Sequence, residues 1–230
     1  MCYFRASQVR RRETGVPAEI IRINSLNPEA SLVSYVASQI RAGQVLGMPT
    51  DTFYGLAADP FNLRAVLRIY EIKSRSRHKP LSLLIENVDQ AEELALSLPE
   101  TFHLLARKYW PGPLTIIVKA AKHLPLKVTA NTGNVALRVP AAAIPMAVIR
   151  AAKVPLTATS ANVSGASECT TAEGVREQLG DTLPAIVDGG ASPRSVASTI
   201  VHLTDDAKWK VLREGAISTQ EIGDYLAQEG

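Results

Sequence analysis

Cysteine is nearly absent from this chain. Two residues in 230, Cys2 and Cys169, stand far apart and have no metal-ligand spacing. That argues against a disulfide framework or a zinc cluster and suits a reducing cytoplasm. Aromatic residues are scarce, at 5%, so a core has to be built from Val, Leu, Ile and Ala. No apolar run approaches the roughly 20 residues of a membrane helix, and the N-terminus lacks the hydrophobic centre of a secretory signal. Neither sign of charge is in large excess. A net charge of +3 by itself argues for no polyanionic partner. Two nucleotide-binding fingerprints are also missing, the Gly-x-x-x-x-Gly-Lys-Ser/Thr loop and the Gly-x-Gly-x-x-Gly turn. A nucleotide, if bound, has to be held by dispersed cations and hydroxyls. His78, His103, His123 and His202 are scattered without triad or metal spacing. Ser76-x-x-Lys79 opens like a serine acyl-enzyme signature, but the companion Lys-Thr-Gly is missing and the match is treated as chance.

What is present is an ordinary globular balance, 46% apolar and 20% charged, in a chain long enough for one sizeable core. Residues 1–18 carry Arg5, Arg10, Arg11 and Arg12 without apolar periodicity and are expected to form a flexible basic arm. Residues 19–230 are expected to form a single α/β domain, because strand and helix patterns alternate there with short connections and no linker. Strands are predicted at 20–23, 45–48, 81–85, 115–119, 135–139, 156–159, 185–188, 198–202 and 210–213. Leu32, Val36 and Ile40 recur at helical spacing, with Asn27 as the expected cap and Pro28 at the first helical position. Further helices are predicted around 63–70, as one broken or two short helices over 89–108 interrupted at Pro99, and at 144–152. Thr170 with Glu173, and Ser218 with Glu221, have capping-box spacing at the heads of two more.

Chemistry concentrates in a few segments. In Val45 to Asp59 an apolar run stops at Pro49, and the polar turn Thr50-Asp51-Thr52 leads through Phe53 and Tyr54 to Gly55. This is either a plain strand-to-loop turn or a site at a strand end, where α/β sheets bind ligands. Lys73, Arg75, Arg77 and Lys79 gather four cations in seven residues. They suit a solvated helix C-terminus or, with Pro80 pinning them before a strand, phosphate oxygens. Thr159-Ser160-Ala161-Asn162-Val163-Ser164-Gly165 offers hydroxyls and backbone N–H groups that an anion could use. Arg138 sits in an apolar strand and needs a partner, either a core carboxylate or a ligand's. Ser198 and Thr199 read equally well as strand residues, and Arg213 as a surface cation.

In their order and spacing these segments resemble the YrdC family of threonylcarbamoyl-adenylate synthases that serve tRNA modification. The resemblance runs over about residues 20–217. It is carried by Pro49-Thr50-Asp51-Thr52-x-Tyr54-Gly55-Leu56, Lys73-x-Arg75, Lys79-Pro80-Leu81, Trp110-Pro111-Gly112-Pro113-Leu114-Thr115, Arg138-Val139-Pro140, Ser160-Ala161-Asn162, Asp188-Gly189-Gly190, Ser198-Thr199-Ile200 and Leu212-Arg213-x-Gly215. It implies a twisted, open, mixed sheet flanked by helices, with a concave basic face. It also implies an enzyme that joins L-threonine, bicarbonate or CO2 and ATP into threonylcarbamoyl-AMP and pyrophosphate.

Carried over by position, Thr52, Arg138 and Ser198 would hold L-threonine. Lys73, Arg75, Lys79, Asn134, Ser160 and Arg213 would hold ATP, with Lys73 and Arg75 acting in catalysis. Ala158 and Glu168 occupy positions that also line the pockets in relatives. The resemblance further implies Mg2+ brought with ATP rather than a resident protein metal site. It implies downstream threonylcarbamoyl-transfer proteins acting on tRNA adenosine 37, and tRNA as a possible direct partner. Relatives' Gly-x-x-Ser-Thr reads Ser195-Val196-Ala197-Ser198-Thr199 here, which loses a glycine. The chain is also shorter than the two-domain form of the family. The alternatives are an RNA-binding module of the same fold and a carbamoyl-transfer relative using another donor.

Overall fold

The computed structural model describes residues 17–74, 79–193, 196–204 and 208–229. Most of the expected arm, together with Arg75 and Arg77, lies outside the described residues.

The described chain forms eleven strands and seven α-helices, against nine strands expected: Gly55–Ala57, read as part of a turn, is a short strand, and the strand expected over 156–159 is two. One mixed sheet has the order β1 (Glu19–Arg22), β9 (Ala185–Asp188), β2 (Leu46–Met48), β3 (Gly55–Ala57), β8 (Thr159–Ser160). The other runs β11 (Trp209–Arg213), β10 (Thr199–Leu203), β5 (Leu114–Lys119), β6 (Asn134–Arg138), β4 (Ser82–Leu84), β7 (Leu156–Thr157). The expected open mixed architecture is thus shared between two sheets. The strand predicted over 156–159 is where they divide. Leu156 and Thr157 pair with β4, while Thr159 and Ser160 pair with β3. Between them the Ala158 N–H reaches the Ser82 carbonyl at 2.8 Å, and the Thr157 hydroxyl reaches the Leu56 carbonyl at 3.0 Å. Backbone alternation cannot continue through Ala158, because each half has its partners in a different sheet.

Aliphatic burial supplies the core. Helix α1 (Ala30–Arg41) sinks Val33, Val36, Ala37 and Ile40 against Ile144, Val148, Ile149 and Ala152 of α5 (Ala143–Ala152) and the face of the first sheet. Each such Val or Ile contributes about 1.5–3 kcal/mol. A larger cluster joins α2 (Leu63–Ile72), α3 (Val88–Leu94) and α4 (Glu100–Tyr109) to the second sheet, with Phe102, Leu83, Leu114 and Ile116 fully enclosed. The break expected at Pro99 falls between α3 and α4.

Two caps differ from expectation. Helix α1 starts after Glu29 rather than at Pro28. The Asn24 amide oxygen accepts the N–H groups of Leu26 and Asn27, at 2.9 and 3.0 Å, and so spends the turn three residues earlier. Helix α6 (Ala172–Leu179) is capped by Thr171, whose hydroxyl accepts the Gly174 N–H at 3.2 Å, rather than by Thr170. The cap at Ser218 is as expected, accepting the Glu221 N–H at 3.1 Å before α7 (Thr219–Glu229). Among the described residues no helix is long and apolar enough to cross a membrane.

Candidate active site

A cavity of about 170 Å³ opens at the seam of the two sheets, lined by strand ends and loops from both. The turn after β2 forms one wall. Thr50, Asp51 and Thr52 are all buried, which is unusual for a polar turn and means their groups have to be paired internally. Arg138, at the end of β6 and only 6% exposed, supplies the pairing. Its Nη2 stands 2.6 Å from Asp51 Oδ1, its Nη1 donates to Thr52 Oγ1 at 3.0 Å, and its Nε donates to the Gly112 carbonyl at 2.9 Å. The two partners left open for Arg138 by the sequence therefore resolve toward the protein's own carboxylate, while the side chain still lines the cavity.

Hydrogen-bond accounting fixes the protons of this wall. Thr50 Oγ1 donates to the Phe53 carbonyl at 2.7 Å, so it acts as acceptor for the Thr52 N–H at 3.1 Å. Its remaining contact, 3.1 Å to Thr52 Oγ1, then takes the Thr52 hydroxyl proton. Thr52 Oγ1 also accepts from Arg138, which leaves it one lone pair. It therefore faces the cavity as an acceptor.

A second part of the lining is Ser198, just before β10, Thr115 on β5 and Arg213 at the end of β11. Thr115 lies opposite Ile200 in parallel register, so Ser198, two residues earlier and on the same face, is its diagonal neighbour, and their hydroxyl oxygens are 2.9 Å apart. Arg213 pairs opposite Ile200, with a bulge between Ile200 and Val201. Its guanidinium folds over the strand end, donating to the Ser198 carbonyl from Nη2 at 2.8 Å and Nε at 3.2 Å, and to Ser198 Oγ at 3.2 Å. Burial lowers the Arg213 pKa, and the nearby Glu168 carboxylate, also on the lining, opposes that shift. Gly215 permits the fold-over, since a Cβ there would lie 2.2 Å from the Ala197 carbonyl oxygen.

Lys73 closes the rear of the site. It is 4% exposed at the C-terminal end of α2, and its ammonium contacts the Ser160 carbonyl, the Asn162 carbonyl at 3.0 Å and Asn162 Oδ1 at 2.8 Å. The cation therefore ties the 160–162 loop, and Ser160 Oγ beside it donates to Asn162 Oδ1 at 2.7 Å. Tyr54 is fully buried between the turns. Its hydroxyl donates to the Gly190 carbonyl at 2.7 Å and accepts the Gly189 N–H at 3.3 Å, and burial raises its pKa to about 12.

Of the residues singled out in the sequence, Thr52, Arg138, Ser160, Ser198 and Arg213 line this one cavity, with Ala158 and Glu168. Lys73 lies behind it. Asn134, at the far end of β6, falls on the same strand face as Arg138 by alternation, about 13 Å away. Its Oδ1 is buried without a hydrogen-bond partner among the described residues. Lys79 is exposed and outside the lining, and its carbonyl accepts from Tyr70 Oη at 2.9 Å. Arg75 is not among the described residues. Sequence reasoning gave no role to Asp51, Thr115 or Asn162. A buried polar residue inside an apolar strand was the available sign at Thr115.

A family model described as "Telomere recombination" and labelled Sua5_yciO_yrdC matches residues 38–215. The chain belongs to the Sua5/YciO/YrdC family. A relative from Thiobacillus denitrificans named threonylcarbamoyl-AMP synthase is 33% identical over 174 residues, spanning 76% of this chain and 90% of that one. The Pyrococcus abyssi protein of the same name is 36% identical over 198 residues, spanning 85% of this chain and 57% of that one. The crystal structure of P. abyssi Sua5 complexed with L-threonine superposes with a TM-score of 0.86 at 35% identity, covering 90% of this chain and 60% of that chain. This member of the family thus spans a little over half of its P. abyssi relative. YciO of E. coli, at 24% identity and a TM-score of 0.81 over 99% of its length, shares the fold.

Proposed function

We propose that this chain is an L-threonylcarbamoyladenylate synthase. It condenses L-threonine, bicarbonate or CO2, and ATP into threonylcarbamoyl-AMP and pyrophosphate. Downstream transfer proteins then use the product for N6-threonylcarbamoylation of tRNA adenosine 37. The carrying observation is a cavity lined by an acceptor at Thr52 and, on another part of the lining, by the Arg213 guanidinium beside the Ser198 hydroxyl. A zwitterionic amino acid needs both, and the names of the relatives and the threonine-bound P. abyssi structure support the reading.

The chemistry asks for positioning and charge neutralisation rather than a covalent nucleophile. The threonine amine attacks the carbon of CO2, forming the N–C bond and shedding a proton. From bicarbonate the same bond forms with loss of water. A carbamate oxygen then attacks the α-phosphorus, and the bond to pyrophosphate breaks. Thr52 orients the amino acid through a hydrogen bond from a substrate donor. Arg213 and Arg138 make the hollow basic, and Lys73 keeps Ser160 and its neighbouring amides in place for the nucleotide. Asn134, further along the β6 face, suits the distal part of an extended ATP. Magnesium fits as an ion carried on the phosphates, with Glu168 as the protein carboxylate nearest to hand, and would offset their charge.

An RNA-binding module of this fold would need an open basic surface, whereas the polar groups described above turn inward. The fold shared with HypF, at 18% identity, supplies no donor preference. The test is mass spectrometry of the products from ATP, bicarbonate and each of Thr, Ser and Gly. Threonine- and bicarbonate-dependent threonylcarbamoyl-AMP supports the assignment, and salt-sensitive RNA binding without pyrophosphate release overturns it. Arg75→Ala is expected to cut synthesis on the order of a hundredfold with the fold retained.

A further inference from the structure

Thr115 is 2% exposed and lines the cavity, and among the described residues its hydroxyl makes one hydrogen bond, to Ser198 Oγ. Its place beside Ser198 on the lining gives it more to do than fill a strand. Ser198 Oγ accepts from Arg213 Nη2 on one side and lies 2.9 Å from Thr115 Oγ1 on the other. Two hydroxyls contribute two protons, and one of them bridges the pair. The other has no acceptor among the described residues, and both hydroxyls line the cavity. When Thr115 donates, Ser198 Oγ takes two incoming hydrogen bonds, one from a guanidinium, and its own proton is the one left to face the cavity. A hydroxyl polarised in this way is a donor, because both of its lone pairs are occupied. The acceptor wall at Thr52 is built by the opposite assignment of protons.

We propose that Thr115 is a positioning residue that commits Ser198 to donate, so that this wall recognises the carboxylate of the amino-acid substrate. The inference rests on the synthase reading and deepens it. Thr115 acts through Ser198. Without its bond, the Ser198 hydroxyl rotates among acceptor and donor orientations, and the carboxylate loses a fixed partner.

The test is calorimetric binding of L-threonine and of neutral L-threoninamide, without ATP, to wild type, Thr115→Val, Thr115→Ser and Ser198→Ala. Valine keeps the β-branched shape at a buried strand position. We expect Thr115→Val to weaken L-threonine about tenfold, as loss of an organised hydrogen bond to a charged group does, and to change threoninamide little. Thr115→Ser restores wild-type preference for the carboxylate. In a Ser198→Ala background, Thr115→Val adds no further loss. An unchanged ratio of threonine to threoninamide affinity in Thr115→Val overturns the inference and leaves the synthase reading standing. So does an additive loss in the double variant. Should Thr115→Val fail to fold, an unchanged affinity ratio in Ser198→Ala overturns it alone. Absence of threonine binding to the wild type overturns both.

Discussion

Arg138 Nη2 and Asp51 Oδ1, separated by eighty-seven positions in the chain, meet at 2.6 Å with both side chains almost wholly removed from solvent. The pair joins the end of β6 to the turn after β2, and so holds one wall of the cavity to the second sheet. Removing Asp51 leaves the buried Arg138 guanidinium its bonds to Thr52 and Gly112 but takes away this counter-charge. Asp51→Ala is therefore expected to destabilise the fold by roughly 3–5 kcal/mol. The guanidinium denaturation midpoint measures it, and an unaltered midpoint would show that the pair contributes nothing.

Thr52→Val removes the acceptor that Arg138 and Thr50 orient, without changing side-chain shape. L-threonine affinity should fall about tenfold while ATP affinity stays near its wild-type value. Calorimetry with each ligand separately decides. Equal losses for both would contradict the division of the site into two ends.

Lys73→Met keeps the aliphatic stem and deletes the ammonium that bridges Ser160 and Asn162. The lost charge-assisted bonds should lower Tm by several degrees and raise the KM for ATP more than that for threonine. A variant with normal Tm and a selective drop in kcat would instead make the ammonium a participant in the chemistry.

Gly215→Ala forces a methyl group to within 2.2 Å of the Ala197 carbonyl oxygen, a backbone atom that cannot swing away. The strand end carrying Ser198 has to move, and with it the anchor of Arg213. We expect loss of threonine binding together with a Tm decrease. Wild-type values for both would refute the close approach.

Alkaline stability should carry the mark of Tyr54. Its folded pKa of about 12 exceeds the ordinary 10 of an unfolded chain, so the folded state retains a proton that the unfolded state gives up. Stability is then fully present below pH 10 and falls as pH rises from 10 toward 12. Tyr109, also raised to about 12, adds to the same fall. Tyr54→Phe should be less stable at neutral pH, having lost its bonds to Gly189 and Gly190, yet lose less between pH 10 and 12. An equally steep decline in the variant would assign the effect elsewhere.

Periodicity and punctuation made the element order legible. Leu32, Val36 and Ile40 marked α1, Pro99 marked the break before α4, and the β5 and β6 runs were readable as apolar strands. The errors were local and had physical causes. Asn24 held Asn27 in a turn through Asn27's own backbone N–H, so the helix began after Glu29, and Thr171 lay one residue closer to the helix than Thr170. The run over 156–159 looked continuous because nothing in it announces that Thr159 leaves the sheet of Leu156 and Thr157 to pair with β3 in the other. At the site, Thr52, Ser160, Ser198 and Arg213 could be nominated from motif order, whereas Asp51 and Thr115 could not be given roles. Their importance lies in partners 87 and 83 positions away.

By itself the amino-acid sequence determined the class of fold, the helices, most of the strands, the aliphatic core and the family, since these follow from short-range patterns of apolar, capping and turn residues. The three-residue strand Gly55–Ala57 and the division of 156–160 were not legible in it. Only the tertiary structure decided how Thr50 and Thr52 divide their protons, that Arg138 answers to Asp51, and that Lys73 holds the 160–162 loop. The reason is that a proton's direction depends on all the neighbours of its oxygen at once. Here those neighbours come from strands of two sheets that the chain visits far apart.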